Sequence, residues 1–144
     1  MNAPLAALAI SRIIRAPRAK VFAAWTEPES LQRWWGPGPV TCPEAEVDLR
    51  EGGDYRLANR ELDGSITWIF GTFERVRPPE ELVYTWNVSI VPGEPTIVRV
   101  RFLDHADGTE LRLTHERFAV AAVRDMHGHG WAGCLDKLEA LLTV

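Results

Sequence analysis

The chain has 144 residues and a formal net charge of −4, with 25% charged and 46% hydrophobic residues. This length is typical of one domain with a sizeable core, so we expect a single domain over residues 1–144. The sequence has no basic stripe, which argues against nucleic-acid binding, and no apolar run of the ~20 residues that a membrane helix needs. We expect no signal peptide, and two cysteines favour a reduced, cytoplasmic setting over a disulfide framework.

The N-terminal part of the chain predicts one strand followed by two short helices. Residues Leu5–Arg15 alternate as a strand does, and Pro17 then stands where proline commonly opens a helix. The segment Thr26-Glu27-Pro28-Glu29 has the spacing of a capping box, which predicts the start of a second short helix. Gly36-Pro37-Gly38-Pro39 ends that helix.

Six further strands are predicted between residues 42 and 116. Turn signals such as Asp63-Gly64 and Pro92-Gly93-Glu94-Pro95 separate them, and their alternation is typical of an antiparallel sheet with one buried face. Both faces of one segment are apolar, so its inward face stays open. The predicted strands are Cys42–Leu49, Tyr55–Arg60, Ser65–Val76 (the segment with two apolar faces), Leu82–Ile90, Thr96–Leu103 and Thr109–Glu116.

The C-terminal segment Val120–Val144 predicts a long amphipathic helix that needs a partner surface. Its apolar stripe contains Val120, Val123, His127, Trp131, Cys134, Leu135, Leu138, Leu141 and Leu142. Gly128, Gly130 and Gly133 lie within it, each costing about 1 kcal/mol against alanine. They indicate either a frayed first turn or a helix trimmed beside a cavity. In the second case, a methyl group at Gly130 would overpack the cavity edge.

Together these elements predict an α+β fold. A curved antiparallel sheet of about seven strands would wrap around the long C-terminal helix, with two short helices after the first strand. This arrangement buries every apolar stripe described above.

An ordered set of short motifs from about Ile10 to Leu142 resembles a known family. The motifs are Ala16-Pro17 with Val21-Phe22 and Trp25; Glu29, Leu31 and Trp34-Trp35-Gly36-Pro37; Gly52-Gly53 with Tyr55; Gly71 and Phe73; Pro78-Pro79-Glu80-Glu81-Leu82-Val83; Gly108-Thr109 with Leu111 and Leu113-Thr114-His115; and Gly130-Trp131 with Leu135, Leu138 and Leu141. They are similar to the Activator of Hsp90 ATPase homologue-like branch of the START/Bet v 1 (helix-grip, SRPBCC) superfamily, whose members are mostly small, bacterial and cytoplasmic. The resemblance implies a cavity between helix and sheet, often with an apolar ligand, and no conserved catalytic motif.

Two histidines are candidate polar groups in such a cavity. His127 lies near the centre of the helical stripe, and His115 shares a strand face with Leu111 and Leu113. Each is either a buried histidine held by a backbone or tryptophan partner, or a polar anchor and proton carrier for a ligand.

The sequence predicts no metal site and no cofactor. His127 and His129 diverge by about 200° on a helix, and no third ligand has suitable spacing. Cys134 lies on the buried stripe and Cys42 begins a strand, so we expect both to be small apolar residues rather than nucleophiles.

Six tryptophans are the unusual feature of the composition. Large rings fill cores, but they also line pockets for flat apolar ligands. The cavity candidates are aromatic residues together with the histidines, the glycine and the cysteine discussed above. They are Trp34, Trp35, Tyr55, Trp68, Phe70, Trp86, Phe102, His115, His127, Gly130, Trp131 and Cys134.

The favoured function is a binding module for a small apolar molecule of aromatic, polyketide-like or lipid-like character. An enzyme of the cyclase or dehydratase kind would use His115 or His127 as general acid or base, although the sequence offers no group that orients either one. A chaperone-partner role for an Hsp90-type chaperone rests on the family name alone. A homodimer remains open.

Overall fold

The computed structural model describes residues 5–143 and contains seven strands and three helices in the predicted order. Residues 1–4 lie outside the described part, as does the predicted end of the long helix at Val144. The elements are β1 Ala6–Ile14, α1 Arg18–Thr26, α2 Pro28–Trp34, β2 Ala45–Val47, β3 Asp54–Arg60, β4 Ile66–Arg77, β5 Glu81–Val88, β6 Val91–His105, β7 Gly108–Phe118 and α3 Ala121–Leu142.

All seven strands form one antiparallel sheet in the order β1-β7-β6-β5-β4-β3-β2. Helices α1 and α2 carry the chain from the β1 edge to the β2 edge, and the remaining strands then return as a meander. Side chains alternate strictly along β6, where Val98 and Val100 are fully buried while Arg99 and Arg101 are exposed. The predicted α+β helix-grip fold is confirmed.

The inward face of β4 is the one that carries its smaller side chains. Phe70 lies on the outer face and is 43% exposed. Trp68 lies on the same face, and the Arg56 guanidinium sits 4.5 Å from its ring centre. The buried residues of β4 that face inward are Thr67, Ile69, Gly71 and Phe73.

Two local predictions are wrong. The Pro92-to-Pro95 segment is not a loop between strands, because β6 begins at Val91 and pairs back to Val88. The φ of 133° at Gly93 accommodates the irregular backbone there. Helix α2 starts after Glu27 without a side-chain cap, and the Thr26 hydroxyl instead donates back to the carbonyl oxygen of Phe22.

Helix α3 lies against the inner face of the sheet. On one side Arg12 of β1 donates to Asp136 at 2.7 Å, and on the other Lys137 donates to the carbonyl oxygen of Val40 at 2.8 Å. The stripe predicted from the sequence is buried at Trp131, Cys134, Leu135, Leu138 and Leu142. Among residues 5–143, no helix has the length and apolar character needed to span a membrane.

Candidate functional site

Five of the six tryptophans meet between α3 and the sheet. Trp131 stacks on Trp25, with ring centres 5.9 Å apart and planes at 15°, and it contacts Trp35 and Trp86 at 5.3 Å and 5.2 Å. The ring centres of Trp34 and Trp25 are 5.1 Å apart. Stacked and tilted contacts of this kind bury large apolar areas, so the tryptophans fill the centre of the fold.

The centre retains almost no free space. The void there measures ≈ 20 Å³, about the room for one water molecule. Tyr55 lines this void, and Phe102 packs under α1 with its ring centre 5.3 Å from that of Phe22. The central cavity expected from the sequence is therefore occupied by the protein's own side chains.

Free space lies instead at one end of the helix–sheet interface, beside the first half of α3. We call this cavity the end pocket, and its volume is ≈ 210 Å³. At its rim, Ile90 and Met126 are 73% and 72% exposed. The lining residues are Trp35, Pro37, Asn59, Glu61, Thr67, Ile69, Trp86, Val88, Ile90, Val91, Met126, His127, Gly130, Trp131 and Cys134.

A polar strip runs along one wall of the end pocket. Asn59 and Thr67 are buried and lie directly opposite each other on β3 and β4. The indole N–H of Trp35 donates to the side-chain oxygen of Asn59 at 2.9 Å, and the Asn59 amide nitrogen forms no hydrogen bond with the described residues. Glu61 is the one formally charged side chain in the lining, and it forms no ion pair within the described residues.

His115 is fully buried, and both of its ring nitrogens have partners. The indole N–H of Trp131 donates to Nδ1 at 3.1 Å. Because an indole N–H can only donate, the neutral ring carries its proton on Nε2, which lies 2.7 Å from the Thr96 hydroxyl oxygen. That hydroxyl donates to the carbonyl oxygen of Trp86 at 3.2 Å. These bonds connect β5, β6, β7 and α3.

His127 has a similar arrangement at the edge of the end pocket. Its Nε2 accepts from the indole N–H of Trp86 at 3.2 Å, so its Nδ1–H donates to the carbonyl oxygen of Val123 at 2.9 Å. Burial lowers the pKa of His127, and the bond to Val123 opposes that effect. Burial, followed by the proximity of His127, lowers the pKa of His115 to about 3. Both rings are therefore neutral connectors with no free nitrogen.

The thiols of Cys42 and Cys134 are not activated as nucleophiles. Burial raises the pKa of Cys134 to about 12, and burial also raises the pKa of Cys42. A thiol is nucleophilic as its thiolate, so neither residue is activated near neutral pH. Within residues 5–143, no group of three His, Cys, Asp or Glu side chains is placed to hold a metal ion.

The end pocket gathers half of the site residues expected from the sequence. Those that line it are Trp35, Trp86, His127, Gly130, Trp131 and Cys134. Those that lie in the core instead are Trp34, Tyr55, Phe102 and His115. The expectation for Trp68 and Phe70 is wrong, because β4 turns them to the outer face.

A larger, shallow groove of ≈ 790 Å³ crosses the outer face of the sheet over Trp68 and Phe70. We do not assign the site to it, because the Arg56 guanidinium already covers the Trp68 ring. The groove is also on the side of the sheet away from α3.

Sequence reasoning missed the polar wall and the rim. Alternation from Tyr55 places Asn59 and Glu61 on the same inward face, and this signal was available in the sequence. No periodicity could have found Ile90, Val91 and Met126, because they are exposed residues brought together by the fold.

Gly130 lines the end pocket, and a methyl group added there would meet no close contact. A Cβ there would have the Pro37 Cγ at 4.0 Å, which is ordinary contact, so the predicted overpacking by a methyl group is wrong. The close approach is at Gly133, where a Cβ would lie 3.2 Å from the Pro37 Cβ. The lack of a side chain at Gly133 thus leaves room for the loop after α2.

The family model described as "Activator of Hsp90 ATPase homolog 1-like protein" matches residues 15–143. No curated protein matches the chain.

Several solved structures are similar over nearly the whole chain. Protein CV1439 from Chromobacterium violaceum has a TM-score of 0.86 at 24% identity, covering 94% of this chain and 96% of its own. The AHSA1 protein SPO3351 from Silicibacter pomeroyi has the same score and identity, covering 96% and 98%. CalU16 from Micromonospora echinospora has a TM-score of 0.74 at 28% identity, covering 96% of this chain and 76% of its own.

Proposed function

The chain belongs to the Activator of Hsp90 ATPase homolog 1-like family, and on this premise we propose that it binds a small planar molecule in the end pocket. The observation that carries the proposal is the ≈ 210 Å³ cavity walled by Trp35, Trp86 and Trp131. Ligand sites are commonly apolar and aromatic with a few convergent polar groups, which is the composition of this cavity.

The volume restricts the ligand's size. Typical drug-sized pockets measure about 300–1,000 Å³, so this one suits one or two fused rings rather than a lipid chain. The indole N–H groups of the three tryptophans are already engaged by Asn59, His127 and His115. A ligand would therefore meet these three tryptophans only through the parts of their rings that line the pocket.

The polar wall favours a positive or hydrogen-bond-donating end on the ligand. Glu61 is the one formal charge in the lining and has no paired cation among the described residues. Glu61 is half-buried beside an apolar wall, where the effective dielectric constant is lower than in bulk water, so a ligand cation would be attracted to its carboxylate. The ligand is thus an aromatic ring system with an amine or hydroxyl group directed toward Glu61.

Isothermal titration with three ligands of matched shape tests this proposal. Naphthylmethylamine is cationic, naphthylmethanol is neutral and naphthoic acid is anionic. We expect the amine to bind more tightly than the alcohol by roughly 3–10-fold, as for a partly exposed charge pair, with the acid weakest. Glu61→Gln should abolish the difference between amine and alcohol, whereas Glu116→Gln on the exposed outer face should preserve it.

Three outcomes would separate the parts of the proposal. Binding of the alcohol without any preference for the amine would refute the role of Glu61 and leave the pocket assignment standing. Lack of binding by all three ligands, or equal binding to a Gly130→Leu variant that fills the pocket, would refute the assignment itself. Ala140→Leu on the exposed side of α3 is the matched control.

No specific observation supports either of the two alternative functions. A cyclase or dehydratase needs a histidine with a free nitrogen toward a substrate, and both nitrogens of His115 and His127 are occupied. Activation of a chaperone ATPase is what the family's name describes. We find no feature of this chain that favours it over ligand binding.

A further inference from the structure

The outer face of the sheet gathers arginines that are scattered in the sequence. Arg75 and Arg77 come from β4, Arg99 and Arg101 from β6, and Arg18 from the start of α1. Together with Glu80, Glu81, Phe102 and Leu103 they line a groove of ≈ 430 Å³, which we call the arginine groove. Its β4 and β6 arginines lie on the face of the sheet away from α3, whereas Arg18 belongs to α1, which packs against the inward-facing Phe102. The groove shares no lining residue with the end pocket. Although the net charge of the chain is −4, the lining of this groove contains five arginines and two glutamates.

The acidic residues of the groove do not neutralise it. Glu81 is shared between Arg75 at 3.0 Å and Arg99 at 3.6 Å, and Arg18 pairs with Asp104 at 3.3 Å. Within the described residues, Arg77 and Arg101 have no carboxylate partner. The strand register places them on either side of Glu81, as its direct neighbours on β4 and β6.

Arg101 also faces a like charge. It lies directly opposite Arg112 of β7, whose guanidinium pairs with Glu110. Like charges at directly opposite positions of an antiparallel pair are destabilising. Glu81, which lies opposite Arg101 on β5, offsets part of this repulsion, and a bound anion would offset more of it.

From this arrangement we propose that the arginine groove binds a small molecule that carries two or more phosphate groups. Strands two apart are about 10 Å from each other, so Arg77 and Arg101 can hold separate anionic groups of one ligand. The planar guanidinium matches phosphate oxygens in a bidentate manner, and it stays charged at every physiological pH. The groove encloses part of its ligand, which suits a free molecule rather than a flat surface.

Titration with inorganic tripolyphosphate at low ionic strength tests this proposal, with orthophosphate as the single-phosphate comparison. We expect saturable binding of tripolyphosphate, weaker binding of orthophosphate, and loss of affinity as salt is raised. In the Arg77→Gln, Arg101→Gln double variant the dissociation constant should rise by at least about tenfold, because charge-assisted hydrogen bonds are lost. Both residues are exposed and unpaired with carboxylates, so the variant should fold, which circular dichroism would verify.

The matched control removes the same net charge elsewhere, through Arg33→Gln and Arg50→Gln, and should weaken binding by less than about threefold. Equal losses in the two variants would overturn the proposal, since binding would then follow net charge rather than the groove. Lack of saturable binding by the native chain would overturn it too. Binding confined to vesicles containing phosphatidylinositol bisphosphate would overturn the assignment to a free molecule.

Discussion

His115 shows how the chain uses a titratable side chain as a structural connector. Its two nitrogens join the Trp131 indole to the Thr96 hydroxyl, and it does so with no exposure to solvent. A protonated imidazole has no acceptor nitrogen, so protonation would break the bond from Trp131. The connection therefore depends on the ring staying neutral.

The stability of the fold should consequently fall on mild acidification. The pKa of His115 is about 3 in the folded chain and about 6.5 when unfolded, so between these values the unfolded state binds the extra proton. The stabilisation is fully present above about pH 6.5 and is lost as the pH falls toward 3. Between pH 7.5 and 5, His115 alone should lower the free energy of unfolding by about 2 kcal/mol.

Denaturant unfolding at several pH values checks this prediction. A His115→Gln variant should be less stable than the native chain at pH 7.5 but should lack that part of the pH dependence. The variant His129→Gln, at an exposed position of α3, serves as the control and should keep the native profile. Parallel pH profiles for the native chain and His115→Gln would contradict the assignment.

At the scale of the element, two glycines of α3, Gly130 and Gly133, differ in how closely they approach the loop after α2. Gly133 packs tightly against Pro37, whereas Gly130 faces the end pocket with its nearest contact at 4.0 Å. Both positions are helical, so alanine gains the same intrinsic helix propensity at each. The difference between the two substitutions therefore reports packing alone.

Gly130→Ala should raise the free energy of unfolding by up to about 1 kcal/mol, because helix propensity improves without a clash. Gly133→Ala should gain less or become destabilising, because Pro37 must move and overpacking costs about 1–3 kcal/mol. Denaturant midpoints of the two variants measure the difference. A Gly130→Ala variant less stable than Gly133→Ala would show that the helix is trimmed for the pocket after all.

Strand β4 marks the limit of what alternation can predict. Its existence and extent follow from the β-branched and aromatic residues between Ser65 and Val76. Its orientation does not, because Trp68 and Phe70 are as apolar as Ile69 and Phe73. The orientation of β4 is decided by packing, because its inward side chains must fit beneath the tryptophan cluster.

Over the whole molecule, the order of elements and the α+β helix-grip architecture could be predicted from the sequence. Each strand and helix carries its own periodicity, and the long stripe on α3 requires a sheet to pack against. The position of the cavity could not be predicted. It depends on how completely Trp25, Trp34 and Trp131 fill the centre, and packing density is a property of the assembled core.

The distribution of charge is likewise a property of the assembled chain. Glu61 becomes the single charge in an aromatic pocket, and five arginines from three elements become one groove that shares no lining residue with that pocket. The two sites differ in sign and in ligand chemistry. Each can therefore be tested in the presence of a variant that disables the other.

The central claim is that ligand enters the end pocket and contacts the tryptophans that line it. A ¹H–¹⁵N spectrum recorded during titration with naphthylmethylamine tests it most directly, because each of the six tryptophans gives one indole N–H signal. We predict saturable shifts for Trp35, Trp86 and Trp131, and an unchanged signal for Trp68, which lies on the outer face. Shifts confined to Trp68, or no shift in the three pocket signals at saturating ligand, would contradict the account.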